Sequence, residues 1–102
     1  MSDDRRVVRH IIIHGRVQGV GYRAWTEDQA ILRGLNGFVR KRRDGTVEVV
    51  FSGSAAAVAG MIDACRKGPA GAHVSNMVET DASPSLLAER RPGEAFSLLP
   101  TA

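Results

Sequence analysis

Ile11-Ile12-Ile13-His14-Gly15-Arg16-Val17-Gln18-Gly19-Val20-Gly21-Tyr22-Arg23 decides how this chain folds. An apolar run gives way to three glycines in seven residues, and then to a segment without proline. The run reads as a strand over Val7 to His14, with Ile11 and Ile13 on one face and His10, Ile12 and His14 on the other. The segment that follows reads as a helix from Tyr22 to Arg33, stopped by Gly34. Glycines free the connection to visit positive φ and to bring backbone N–H groups close to a ligand. At a helix start the macrodipole favours negative charge at the same place. Arg23 adds a planar, permanently charged fork suited to phosphate or carboxylate oxygens. Strand, glycine-rich loop and Arg together form an oxyanion cradle. The same pattern taken alone also describes an ordinary turn, and it fits neither the Walker-type loop nor G-x-G-x-x-G.

Downstream, Asn36-Gly37 is a turn signal, and Phe38 to Arg42 reads as a strand. Asp44-Gly45 supplies hairpin chemistry, and Thr46 to Ser52 forms the return strand. Ser54 is an N-cap for a second helix whose apolar stripe is Val58, Met61, Ile62 and Cys65. Arg66 and Lys67 suit its C-terminal dipole, and Gly68-Pro69 ends it. His73 to Thr80 reads as a fourth strand, in which Val74 and Met77 break the period of two; a bulge reconciles them. Ala82 to Gly93 reads as a surface loop whose Leu86-Leu87 pair packs down or makes a short helical turn. Ala95 to Leu99 is a last strand, with Phe96 and Leu98 on one face. The order β-α-β-β-α-β predicts a ferredoxin-like α/β sandwich of the α+β class: a mostly antiparallel sheet with two helices on one face. The face of the first helix stays open, because helical spacing groups Ala24, Trp25, Ile31, Leu32 and Leu35 but sets Asp28 among them.

At 102 residues the chain is expected to form a single domain over 1–102, with residues 1–6 a frayed, disordered terminus. Its 43% hydrophobic and 25% charged content are ordinary for a globular protein. A formal charge of +3 suits a small anionic ligand and is too little by itself to argue for nucleic acid. The single Cys65 excludes an internal disulfide framework, which makes the cytoplasm the expected compartment. No run approaches the length of a membrane span. His10 and His14 share a strand face, yet nothing in the sequence completes a metal set around them.

Gly15-x-Val17-Gln18-Gly19-Val20-x-Tyr22-Arg23 resembles the signature of the acylphosphatase family. Gly37-Phe38-Val39-Arg40-Lys41, continuing through Gly45 and Val47 to Gly53, resembles the family's second signature in every element but one. Gly68-Pro69-x-Gly71-Ala72-x-Val74 resembles the loop and fourth strand of bacterial members, so the likeness extends from about His10 to Phe96. It implies hydrolysis of carboxyl-phosphate mixed anhydrides to a carboxylate and orthophosphate, with no metal or cofactor. Arg23 would grip the phosphate, helped by the loop Arg16, Val17, Gln18, Gly19, Val20, Gly21 and Tyr22 through its backbone. It also implies that Tyr22, Thr26 and Ala30 of the first helix face inward. The expected partners are a small acyl phosphate and orthophosphate acting on a monomer, with no membrane or nucleic acid.

The departure is Lys41, which stands where the family has the Asn that holds the attacking water. An ammonium has three donors and no acceptor, whereas an amide has both. Lys41 belongs to Arg40-Lys41-Arg42-Arg43, a run that also suits a solvated strand edge discouraging further pairing. Alternation puts Arg40 and Arg42 on one face and Lys41 on the other, towards the site, as a catalytic candidate with Arg23. Asn36 is the alternative amide. The resemblance therefore implies an acylphosphatase weakened by Lys41, and the alternative is a non-catalytic module that binds phosphate or acyl phosphate. A single-stranded RNA binder of the same topology lacks support, because Thr46 to Phe51 offers only one aromatic for stacking.

Overall fold

In a computed structural model describing residues 5–102, strand β1 (Arg6–Arg16) runs through the sheet interior. Its Ile11 and Ile13 are fully buried, while His10, Ile12 and His14 are half-buried on the opposite face. The first residues of the expected frayed terminus, 1–4, lie outside the described residues. Arg6 already pairs with Ser54, and the Arg5 carbonyl accepts a bond from the Ala55 N–H, so ordered pairing starts earlier than expected.

Helix α1 (Tyr22–Leu32) follows the loop. Then come the hairpin strands β2 (Asn36–Lys41) and β3 (Val47–Ser54), helix α2 (Ala55–Lys67), β4 (His73–Asp81), a 3-10 helix (Pro84–Glu89) and β5 (Phe96–Leu98). The five-stranded sheet has the order β4-β1-β3-β2-β5. The first four strands are antiparallel, and β5 adds in parallel to β2. This is the ferredoxin-like α+β sandwich that the element order predicts.

Both helices pack on one face. Tyr22, Ala30, Val58, Met61, Ile62 and Cys65 meet Ile11, Ile13, Val39, Val47, Val49 and Phe51 in a single apolar core. Complete burial of such aliphatic side chains stabilises by roughly 1.5–3 kcal/mol each. The other face carries a smaller cluster of Phe38, Val50 and Leu99, covered by Leu86 and Leu87. The Leu86-Leu87 pair thus does both things foreseen for it: it makes a helical turn and packs down. The bulge in the fourth strand is also present, since His14 pairs with Asn76 but Gly15 with Val74, leaving Ser75 as the extra residue.

Two readings of the hairpin change. Asn36-Gly37 is strand, not turn: Asn36 pairs with Ser52 and Gly37 with Phe51. Gly37 has φ 140, and a Cβ there would lie 1.8 Å from the Val50 carbonyl oxygen, so the glycine serves close strand packing. The cationic run is not an edge either. β2 lies between β3 and β5, and the chain continues past β5 beside it, with Leu99 N–H donating to Val39 and Ala102 N–H to Lys41. Arg40 instead donates to Glu48 at 2.5 Å and lies over the Phe38 ring.

Candidate active site

The loop between β1 and α1 is built by backbone geometry. Gly19 and Gly21 hold φ of 72 and 73, the left-handed region that a residue with a Cβ enters at a cost. Gly21 is the N-cap of α1 and brings no capping side chain. Its carbonyl accepts from the Trp25 N–H at 2.9 Å, so the helix starts there without a protein group closing its N-terminal donors. Among the described residues, no backbone N–H from Gln18 to Ala24 donates to a protein acceptor. All the residues that carry these donors except Val20 line one depression, at the positive end of the helix dipole.

That depression measures about 170 Å³ and is lined by Val17, Gln18, Gly19, Gly21, Tyr22, Arg23, Ala24 and Leu98. Arg23 is half-buried and forms no ion pair among the described residues, which leaves its guanidinium uncompensated at the rim. Gln18 sends its side-chain amide to the Gly45 carbonyl at 2.9 Å, and its backbone N–H has no protein acceptor among the described residues. This bond ties the loop to the hairpin turn. The turn is itself held by Asp44, whose carboxylate accepts from the Thr46 N–H and hydroxyl. Those bonds from Thr46 hold the Asp44 carboxyl below its ordinary range.

Tyr22 leaves the loop for the core. Its hydroxyl donates to the Cys65 carbonyl at 2.6 Å, and burial pushes the phenol far above its usual range. Burial likewise pushes the Cys65 thiol up to about 12. Neither group offers an anion at neutral pH, so Tyr22 acts as a hydrogen-bond donor and Cys65 as packing.

The remaining predicted residues lie apart from the cavity wall. Arg16 ends β1, exposed, paired with His73; Val20 packs against the core and sits over Gly71. Lys41 ends β2, half-buried, opposite Val47. Alternation places it with Gly37 and Val39 on the helix-covered side, the side of Val17 and Tyr22. It stands two residues beyond Val39 and does not line the depression. Asn36, the alternative amide, is at the far end of β2 and on the other face with Phe38 and Arg40. Five strand residues amount to roughly 17 Å. The wall also contains Ala24 and Leu98, which the sequence reading named only as apolar positions and did not assign to the site. The pairing of Phe96 and Leu98 on one face was visible, but not that β5 lies beside β2 at the loop.

The family model described as Acylphosphatase matches residues 9–89. A protein named Acylphosphatase from Azorhizobium caulinodans is 66% identical over 70 residues, 69% of this chain and 75% of that one. Another with that name from Rhodopseudomonas palustris (strain BisB18) is 54% identical over 95 residues, 93% of this chain and 96% of the other. Among solved structures, acylphosphatase from Bacillus subtilis superposes with a TM-score of 0.78 at 31% identity, covering 91% of this chain and 98% of that chain.

Proposed function

The chain belongs to the acylphosphatase family, and on that premise we propose how the labour of its site is divided. As an acylphosphatase it is a hydrolase that splits the carboxyl-phosphate bond of acyl phosphates into a carboxylate and orthophosphate; binding without turnover is the less favoured reading. The phosphoryl oxygens sit in the loop, on the open N–H groups from Gln18 to Ala24, with Arg23 across them. Water attacks phosphorus, the carboxylate leaves with the bonding electron pair, and the water's protons are released to solvent and product. An acyl phosphate already has a good leaving group, so positioning and charge stabilisation suffice. Lys41 stands where an amide would orient the water. From the end of β2, outside the cavity wall, it adds positive charge on the helix-covered side but offers no acceptor while protonated, which slows turnover.

One observation carries this assignment: a run of unpaired N–H donors and an uncompensated guanidinium share one small depression. Orthophosphate release from benzoyl phosphate tests it. Arg23→Ala is expected to lower kcat/KM by about a hundredfold or more, on the scale of losing a transition-state donor. Turnover equal to the parent would remove Arg23 from the reaction. We also read the protein as a cytoplasmic monomer that needs no cofactor. Its lone cysteine is a free, buried thiol, and sedimentation as a single 11.0 kDa species is the expected behaviour.

A further inference from the structure

The depression has two chemical halves. Gln18, Gly19, Gly21 and Arg23 offer N–H donors and a cation, whereas the side chains of Leu98 and Ala24 offer only carbon. Leu98 is out of character for its strand. Phe96, two residues earlier on the same face, is 3% exposed and stacked on Phe51 at 5.9 Å. Leu98 pairs with Val39 at the next position of that face, yet it remains half-uncovered at the cavity wall. Ala24 is exposed in the first turn of α1, next to Arg23. Neither side chain has any interaction to offer a phosphoryl oxygen. Leu98 already packs in part against the core, and the surface it leaves open, like that of Ala24, gains only if an apolar group covers it.

Resting on the reading that the loop takes the phosphoryl group, we propose that Leu98 and Ala24 form an apolar shelf for the acyl group. The shelf selects acyl phosphates with an aromatic or branched apolar acyl group over those with a bare acetyl group. The size of the site agrees with this. At about 170 Å³ it is well below the roughly 300–1,000 Å³ of pockets that enclose drug-sized ligands. The phosphoryl end fills the polar half, and a larger acyl group lies across the lip where these two residues stand. Arg16 and Val20 do not line the depression, so they do not set this preference.

The test is the ratio of kcat/KM for benzoyl phosphate to that for acetyl phosphate. It is measured for the parent, Leu98→Ala, Leu98→Met and Ala24→Asn. Apolar pocket contacts discriminate by roughly 10–200-fold. The expected result is a parent ratio well above one that falls about tenfold in Leu98→Ala, falls severalfold in Ala24→Asn and holds in Leu98→Met. Should Leu98→Ala fail to fold, Ala24→Asn decides, because its exposed helix position makes no core contact. A ratio that stays at the parent value in the folded variants overturns the shelf while leaving the hydrolase intact. A parent that hydrolyses neither compound overturns instead the reading on which the shelf rests.

Discussion

On the proposed division of labour, Lys41 exchanges an amide for an ammonium where the family pattern has its water-holding Asn, and the expected consequence is kinetic. Losing one positioning contact costs on the order of a hundredfold in rate. Added positive charge strengthens binding of substrate and product alike, which does not lower the barrier. Lys41→Asn is therefore expected to raise kcat by at least tenfold, on the scale of such contacts, and to raise the orthophosphate Ki. Both constants are to be measured at matched ionic strength, because part of the effect is screened charge. A parent as fast as the variant would show that this position does not limit catalysis. Arg23 and the loop were readable from sequence because their chemistry is local: consecutive glycines, N–H groups and one cation. Leu98 was not, since it reaches the same depression from the far end of the chain.

At the scale of elements, Tyr22 joins the loop helix to α2. Residue 69 would normally donate its N–H to the Cys65 carbonyl, but Pro69 has none. The Tyr22 hydroxyl fills that role at 2.6 Å, so a residue at the end of the glycine-rich loop caps the other helix. Tyr22→Phe keeps the ring and orphans the carbonyl. It is expected to cost about 1–3 kcal/mol in urea unfolding with an unchanged m-value. Stability equal to the parent would mean that water satisfies this carbonyl as well. The same anchor explains the facing of α1. Helical spacing favoured Ile31 and Leu32, yet these are 57% and 79% exposed, while Tyr22, Thr26 and Ala30 are buried. Tyr22 locks the first turn, and Thr26 and Ala30 follow at intervals of four; Thr26 satisfies its own hydroxyl on the Tyr22 carbonyl. Arg33 ends exposed near Gly60, so this facing does not force it into the core.

Across the whole molecule, the sheet face without α1 and α2 carries a charged cluster whose effect is a pH dependence of stability. Burial alone would push the Glu48 carboxyl up, but the hydrogen bonds from His10, at 2.7 Å, and Arg40 outweigh it and hold it below its ordinary range. A depressed folded value means that this contribution is complete above the unfolded value of about 4.3 and is lost as pH falls through the folded one. Urea midpoints between about pH 3 and 6 are expected to fall more steeply for the parent than for Glu48→Gln. Parallel curves would show that the cluster does not govern acid unfolding. Sequence by itself determined the order of elements, the α2 stripe, the helix stops and the glycine-rich turn into α1, because periodicity, capping and turn chemistry act over a few residues. Only the tertiary structure decided which face of α1 is buried, that the cationic β2 is interior and that Leu98 lines the depression beside the loop. Each of these depends on strands and helices distant in the chain coming together, and no local propensity encodes which partner covers a given face.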